Sequence, residues 1–340
     1  MVRHLLRGGV MSAERAVMIG IDVGGSTTSG GIVTDAGEIL STVQMATHQD
    51  GPGTAVGTLL NVVDALVSTV SRRGLSLDGI GIGLPGLVDA EKGMMVGDEF
   101  NYVQDFKGVP LADQLRSFTE VPVFVDNDVN LLALGDWIFG LGKDATSLVL
   151  LAIGTGVGGG IILNGNLVRG HSGCAGELGH VPINFNGPPC VCGGRGCLCV
   201  YVGGQQIAAT AQERVGRTRE SSLLGLADGN LKAITAELVF KAAASGDAVA
   251  RAIVDEALDA LGAGLGAIFN ALNPEVVIVT GGVAESLVPI EHEVRDRAAR
   301  YALAEALATT RFHIVRSDKR RTVLGGAALV LYELGRQRNA

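Results

Sequence analysis

Four side chains with metal-binding groups lie close together near the middle of the sequence. His180 precedes Cys190 by ten residues, and Cys192 and Cys197 follow with the spacing C-x-C-x₄-C. One imidazole and three thiolates form the donor set of a closed, four-coordinate zinc site. Buried free thiols and disulfides are the alternatives, but the clustering argues against the first and a reducing compartment against the second. The spacing favours a structural Zn²⁺ ion.

Three glycine-rich turns each follow an apolar segment that is typical of a buried strand. They comprise residues 22–27, 154–160 and 280–283. Glycine lets successive backbone N–H groups converge on a phosphate and lets a ligand approach without a Cβ in the way. One such turn is more often an ordinary hairpin, whereas three together predict a nucleotide site.

Two common nucleotide-binding motifs are excluded by the residues around these turns. The second turn matches G-x-G-x-x-G, but a dinucleotide fingerprint must open a helix, and the following residues, GIILNGN, predict a strand and a hairpin. The sequence G-x-x-x-x-G-K-[ST] of a P-loop does not occur. Phosphates held between two β-hairpins remain, which is the arrangement of actin-like ATPases and sugar kinases.

Two acidic positions are candidates for chemistry. Asp126, Asn127 and Asp128 stand where an apolar strand ends and a helix begins, so Asp128 is either an N-cap or a catalytic carboxylate facing a cleft. Asp22 ends the first strand and is either a turn carboxylate bound to local backbone or a metal ligand. The residue types alone leave both choices open.

The elements that position these residues alternate between strand and helix, which predicts an α/β fold. Two strand-glycine-strand units, one in each half, suggest an internal duplication, with a boundary near Asp126. The predicted elements include a three-strand antiparallel meander from residue 17 to about 45, helices over 55–73, 248–272 and about 323–334, and strands at 147–153 and 275–280.

Composition limits the class of protein. The 340 residues include 50 glycines, are 47% hydrophobic and carry a formal net charge of −8, which excludes low-complexity disorder and, without a three-residue period, collagen. There is no global basic field for nucleic acid or anionic membrane, and no apolar run long enough to span a bilayer. Residues 1–16 predict a disordered tail without a signal peptide, so we expect a cytoplasmic protein.

The ordered set of motifs is similar to that of one family. From Ile19 to about Gly326 the chain contains IDVGGSTTSGG, FVDNDVNLLALGD, IGTGVGGGIILNG, AGELGH with CVCGGRGCL, and IVTGGV. In this combination it resembles the ROK family of bacterial sugar kinases (repressor, open reading frame, kinase). The resemblance implies an actin-like ATPase (ribonuclease H-like) fold with two domains around a central cleft: a smaller domain of 17–125 plus about 322–340, and a larger domain of 126–321 that carries the zinc site.

The resemblance also implies roles for individual residues. Asp128 would be the general base for the 6-hydroxyl of a glucose-like hexose, Asn127 would hold ring hydroxyls, and Asp22 would bind Mg²⁺ through water. Glu177 and His180 would contact the sugar, as would Gly86 and Asn101 in segments that resemble sugar-contacting stretches. The residues implied in ATP binding are Asp22, Gly24, Gly25, Ser26, Thr27, Gly154, Thr155, Gly156, Gly158, Gly281 and Gly282.

One position departs from the family pattern. After the last zinc cysteine the family usually has Leu-Glu, and that glutamate binds the sugar, whereas this chain has Leu198 and Cys199. Loss of a carboxylate removes a strong hydroxyl acceptor. We therefore hypothesise that Cys199 lies in the sugar pocket and that the substrate is an amino-glucose such as kanosamine, or glucose itself.

Other functions compatible with the resemblance are a sugar-responsive ROK regulator, a non-catalytic sugar-binding protein and a polyphosphate-dependent glucokinase. Regulators of the family carry an N-terminal DNA-binding domain, but only about 18 residues precede the first strand, so we expect no nucleic-acid partner. The acidic charge and the lack of a long apolar run lead us to expect no membrane partner. The resemblance implies a homodimer that binds a sugar and ATP.

Overall fold

The computed structural model describes residues 16–96, 103–218 and 220–338. The predicted N-terminal tail, apart from Ala16, and the candidate sugar ligand Asn101 lie outside these ranges. The strands are β1 (Ala16–Val23), β2 (Thr27–Thr34), β3 (Ile39–Ala46), β4 (Ser76–Leu84), β5 (Val88–Asp89), β6 (Met94–Met95), β7 (Val123–Asn127), β8 (Leu148–Ile153), β9 (Val157–Leu163), β10 (Asn166–Leu167), β11 (Val276–Thr280) and β12 (Arg311–Ile314). The helices are α1 (Ala55–Arg72), α2 (Leu111–Thr119), α3 (Asp128–Phe139), α4 (Cys199–Val202), α5 (Gly204–Thr218), α6 (Leu223–Leu226), α7 (Ala236–Ala244), α8 (Ala248–Leu272), α9 (Gly282–Leu287), α10 (Glu291–Ala298), α11 (Ala304–Thr309) and α12 (Lys319–Gln337).

The first sheet has the order β3-β2-β1-β4-β7. Strands β1, β2 and β3 pair antiparallel, which confirms the predicted meander, while β4 and β7 continue the sheet in parallel with β1. One face packs against α1 through Leu59, Val62 and Leu66, all fully buried. Because the parallel strands are covered on both sides, they consist of nearly continuous apolar and glycine residues.

Glycine in this sheet permits direct backbone packing against helix α12. A Cβ atom on Gly81 would lie 2.0 Å from the carbonyl oxygen of Gly326, and one on Gly20 would lie 2.0 Å from that of Val323. Neither backbone can yield to a side chain, so the helix and the sheet approach each other only at glycine. Part of the glycine excess is therefore needed in the core, in addition to the loops where the sequence predicted it.

Helix α12 begins four residues before the predicted start. The carboxylate of Asp318 caps it by accepting a hydrogen bond from Arg320 N at 2.8 Å. The apolar periodicity used for the prediction begins only at Val323, because the first turn, Lys319 to Thr322, is polar.

The second sheet has the order β10-β9-β8-β11-β12. It is also mixed, with an antiparallel pair of β9 and β10 and a parallel pair of β11 and β12. Helix α8 has the predicted bounds and ends at Asn273, which adopts a left-handed conformation with φ of 40° before Pro274. The strand that follows, β11, is buried along its whole length.

The chain divides into two compact units. One comprises residues 1–148, 160–176 and 318–340, and the other 149–159 and 177–317. Helix α3 belongs to the first unit because it packs on α12, where a Cβ on Gly135 would lie 3.0 Å from Gly325 N. The sequence-based boundary near Asp126 would instead place α3 in the larger domain. These packing units are not domain assignments, so that boundary stays a prediction. No helix in the described part of the chain is long and apolar enough to cross a membrane.

Candidate active site and metal centre

The first glycine turn joins β1 to β2 in the first unit. Gly24 N donates to Thr27 O at 3.0 Å, and Gly25 and Ser26 are exposed at the tip. Thr47, directly after β3, donates its hydroxyl to Gly24 O at 2.6 Å and is fully buried. A hydrogen bond from a residue outside the turn therefore stabilises it. No role for Thr47 was predicted from the sequence, and the only signal for one was its position at the end of the meander.

Asp22 stands at the carboxyl end of β1, beside the first glycine turn. Burial raises the pKa of Asp22 to about 6, against a hydrogen bond with Thr322 and the charge of Lys319, which both lower it. A cation near this carboxylate would favour its ionised form. The role of Asp22 as a metal ligand stays a prediction.

The segment of Asp126, Asn127 and Asp128 connects β7 to α3. Asn127, and not Asp128, is the N-cap: its Oδ1 accepts hydrogen bonds from Val129 N at 2.9 Å and Asn130 N at 3.1 Å. Its Nδ2 donates to Gly86 O at 3.0 Å, which joins two of the predicted sugar-binding positions. Asp128 is the first residue of the helix, and its Oδ1 accepts a hydrogen bond from Val129 N at 2.9 Å. The capping interpretation of Asp128 is thereby wrong.

A buried ion pair supports this segment from behind. Asp126 Oδ1 accepts hydrogen bonds from Asn127 N at 2.7 Å and from Asn130 Nδ2 at 2.9 Å, while Oδ2 accepts from Arg169 Nε at 2.7 Å. The other end of Arg169 donates to Glu333 Oε1 at 2.6 Å. Sequence reasoning missed Arg169, because nothing local marks an arginine after a short hairpin as a partner of distant carboxylates.

The second glycine turn joins β8 to β9. In the second unit, the first backbone N–H groups of helix α5 donate to this turn, Gly204 N to Gly154 O at 2.8 Å and Gln205 N to Thr155 O at 3.3 Å. A Cβ atom on Gly154 would meet no atom within 4 Å, so its surroundings are open. Gly203 and Gly204 had no predicted role, although a glycine pair before a helix is a signal for close approach.

The third glycine turn lies against the end of β8. Gly281 has φ of 103°, and a Cβ atom there would lie 2.5 Å from Ile153 O, so only glycine fits. Gly282 is open, and a Cβ on Gly204 would lie 3.2 Å from Val283 Cγ2. The structure therefore places two of the predicted nucleotide-binding turns, the one that begins at Gly154 and the one at 280–283, close together in the second unit.

A 3₁₀ turn that begins directly after Glu177 and ends at His180 packs on the start of β9. A Cβ atom on Gly179 would lie 2.2 Å from Val157 O, so the turn contacts the strand backbone directly. Burial raises the pKa of the half-buried Glu177, and the nearby His180 opposes this shift. Glu177 is a carboxylate in a partly desolvated position, which suits the recognition of hydroxyl groups.

The four predicted metal ligands converge in the second unit. The donor atoms of His180, Cys190, Cys192 and Cys197 all lie within 4.8 Å of one another. Cys192 Sγ is 3.6 Å from Cys197 Sγ, and Cys190 Sγ is 3.5 Å from His180 Nδ1. Zinc–sulfur bonds of about 2.3 Å in a tetrahedral site set two sulfurs about 3.8 Å apart. These residues therefore fit a structural zinc ion.

Cys199 lies beside this cluster. Its Sγ is 3.6 Å from Cys190 Sγ and 3.8 Å from His180 Nδ1. Burial works against the thiolate of Cys190, but hydrogen bonds from Cys192 and from its other neighbours outweigh it and lower the pKa of Cys190 to about 7. Burial and the adjacent Cys190 raise the pKa of Cys199 to about 12. The thiol predicted to face a sugar is thus in contact with metal-binding groups.

The two units contain different parts of the predicted site. The first unit contains Asp22, Gly24, Gly25, Ser26, Thr27, Gly86, Asn127 and Asp128. The second unit contains Gly154, Thr155, Gly156, Gly158, Glu177, His180, Cys190, Cys192, Cys197, Cys199, Gly281 and Gly282.

Comparisons with known proteins identify the class that this fold and these sites define. The model of the ROK family matches residues 18–333, and the chain belongs to that family. The glucokinase of Halalkalibacterium halodurans is 37% identical over 316 residues, which make up 92% of this chain and 94% of that protein. The xylose repressor of Bacillus subtilis is 28% identical over 295 residues, covering 85% of this chain and 70% of the repressor.

A solved structure is similar along most of the chain. The ROK family glucokinase from Streptomyces griseus, crystallised in complex with glucose and AMPPNP, is 32% identical with a TM-score of 0.72, covering 94% of this chain and 99% of the other. The predicted fold class is confirmed: the protein has the mixed α/β, two-domain, actin-like fold of ROK proteins, built on two mixed sheets.

Proposed function

We propose that this protein is an ATP-dependent sugar kinase that phosphorylates the 6-hydroxyl of a glucose-like hexose. The observation that carries the proposal is Asp128, which begins helix α3 beside Asn127 in a chain 37% identical to a glucokinase. A carboxylate fixed at a helix start, next to a side chain that binds both the helix and Gly86 O, is well suited to position a substrate hydroxyl.

Asp128 would accept the proton of the 6-hydroxyl as that oxygen attacks the γ-phosphate. Phosphoryl transfer depends mainly on positioning and on neutralising charge. Backbone N–H groups at the first and second glycine turns would bind the phosphates, and the third turn would bind adenosine. Mg²⁺ bound with ATP would supply charge neutralisation, and Asp22 would hold it through water.

Recognition of the sugar would depend on Asn127, Glu177 and His180, with Gly86 and Asn101 contributing from their loops. Asn127 uses one amide hydrogen on Gly86 O, and the second would donate to a ring hydroxyl. Position 199 carries a thiol where the family resemblance leads us to expect a carboxylate. We propose that this replacement shifts preference towards an amino-glucose such as kanosamine, with glucose as the other candidate substrate.

The zinc ion would be structural, since four protein donors leave no open coordination position. When bound, it would tie the loop that carries Glu177 and His180 to the start of helix α4. A cytoplasmic homodimer that binds a sugar and ATP is part of the same proposal. The xylose repressor relatives support one alternative, a sugar-responsive regulator.

The test is an ADP-release assay over glucose, kanosamine, glucosamine, mannose, N-acetylmannosamine and fructose. We expect turnover with glucose or an amino-glucose, and a loss of about 100-fold or more in kcat for Asp128→Asn, because a general base typically contributes that much. The variant should keep its thermal stability and its stabilisation by sugar. Asp113→Asn makes the same substitution at an exposed site and should retain full turnover.

Three outcomes would each contradict part of the proposal. Absence of ADP release with every sugar would favour a binding or regulatory role. Near-normal turnover by Asp128→Asn would remove Asp128 from the mechanism even if the protein is a kinase. A Cys199→Glu variant with an unchanged sugar preference would defeat the link between position 199 and substrate identity.

A further inference from the structure

The metal centre contains more donors than one zinc ion can use. Cys199 lies against two members of the four-residue cluster: its Sγ is 3.6 Å from Cys190 Sγ and 3.8 Å from His180 Nδ1, and these two atoms are 3.5 Å apart. The three atoms thus form a triangle with edges close to those of a tetrahedral coordination face, about 3.8 Å between two zinc-bound sulfurs. A structural zinc ion takes four ligands, so one donor is in excess.

The backbone fixes this juxtaposition. An antiparallel bridge joins Pro182 to Cys197, and Leu198 N donates to Val181 O at 3.0 Å. These contacts set the chain after His180 beside the chain before Cys199. Leu198 is 1% exposed and packs on helix α8, where a Cβ on Gly264 would lie 2.8 Å from Leu198 Cδ2. The position of Cys199 beside His180 is therefore anchored on both sides.

We propose that Cys199 is an alternative zinc ligand that replaces His180. With His180 bound, the ligand set is three thiolates and one imidazole. With Cys199 bound, it is the four thiolates of Cys190, Cys192, Cys197 and Cys199, a set that also forms closed zinc sites. The exchange is local because the two donors are already 3.8 Å apart, and both sets share three ligands. This inference rests on the proposed zinc ion and not on the proposed kinase activity.

The exchange would release His180 from one of the two roles proposed for it. The proposed function assigns this imidazole to the zinc ion and to the sugar. A thiol at position 199 would let the loop stay closed on the metal while His180 leaves it. A glutamate at position 199 could not complete a four-thiolate set. The proposed ligand exchange therefore depends on the presence of cysteine at this position instead of the family's glutamate.

The test compares zinc content among ligand variants purified under a non-oxidising phosphine reductant. Wild type, His180→Ala, Cys199→Ser and the double variant are analysed by mass spectrometry for metal per chain. We expect one zinc ion in the wild type and in each single variant, and at least a tenfold lower retention against a competing chelator in the double variant. Cys174→Ser, at an exposed cysteine, is the matched control and should behave as the wild type.

A spectroscopic measurement identifies the ligands directly. In Co²⁺-substituted His180→Ala, thiolate-to-metal charge-transfer absorbance should rise by roughly a third over the wild type, because four thiolates replace three. The proposal is overturned if His180→Ala loses zinc as completely as the double variant. It is equally overturned if neither His180→Ala nor His180→Gln folds, because an alternative ligand set would keep the loop closed. A wild type without zinc would overturn the metal proposal as well, whereas ADP release reports separately on kinase activity.

Discussion

At the scale of single residues, the segment that carries Asp128 depends on a charge pair behind it. Asp126 is 2% exposed, and its partner Arg169 is 18% exposed. Asp126 also accepts a hydrogen bond from Asn127 N, so the pair fixes the peptide from which Asn127 and Asp128 project. Arg169 is accordingly a positioning residue for the candidate site.

We predict that Arg169→Met lowers the free energy of unfolding by about 3 kcal/mol, because removing one partner leaves a buried carboxylate uncompensated. Arg217→Met is the control: Arg217 and Glu213 are 76% and 61% exposed, and loss of an exposed pair costs less than about 1 kcal/mol. Urea denaturation of both variants checks the difference. Equal effects would show that burial does not govern the Arg169 pair.

At the scale of elements, the contact between the first sheet and helix α12 depends on glycine from both partners. The carbonyl oxygen of Gly326 occupies the space that a Cβ on Gly81 would need. A helix that docks in this way has no side chain to adjust at the contact, so the position of its Thr322 relative to Asp22 is narrowly defined.

We predict that Gly81→Ala lowers the free energy of unfolding by at least about 2 kcal/mol through overpacking. Gly57→Ala, in the first turn of helix α1 where a Cβ would meet nothing within 4 Å, should raise it by roughly 0.5–1 kcal/mol, because alanine loses less conformational entropy on folding than glycine. Thermal denaturation of the two variants measures whether each one lowers or raises the stability. A neutral Gly81→Ala would mean that the sheet and α12 separate at little cost.

At the scale of the whole molecule, charge distinguishes the two functions found among the relatives. The chain carries 27 basic and 35 acidic residues, a formal net charge of −8. Binding to duplex DNA depends largely on lysine and arginine neutralising phosphates. A chain with this balance lacks the general electrostatic attraction on which such binding rests.

We predict no measurable binding of this chain to a fluorescent DNA duplex of mixed sequence, with any dissociation constant weaker than about 100 μM at physiological salt. Fluorescence anisotropy with and without sugar measures it, on a sample whose ADP release is tested in parallel. Binding that is tight and changes with sugar would favour the regulator over the kinase.

Features encoded in local patterns could be predicted from the sequence, and features that depend on distant partners could not. Helix α8 has its predicted bounds because its apolar periodicity stops at Asn273 and Pro274. Arg169 was missed because its partners lie 43 and 164 residues away. The motif indicated that position 199 matters, but the direction of its thiol depends on the bridge between Pro182 and Cys197, which no spacing rule contains.

The glycine contacts in the first unit also constrain how this sequence can change over time. Gly20, Gly81 and Gly326 belong to three elements, yet a Cβ on Gly326 would lie 2.6 Å from Gly20 Cα and 2.7 Å from Gly81 O. A side chain gained at Gly81 or Gly326 therefore meets the backbone of another of the three, and one gained at Gly20 meets the α12 backbone at Val323 and Ala327, so no single compensating mutation restores the space. We expect all three positions to remain glycine together while the surrounding sequence diverges.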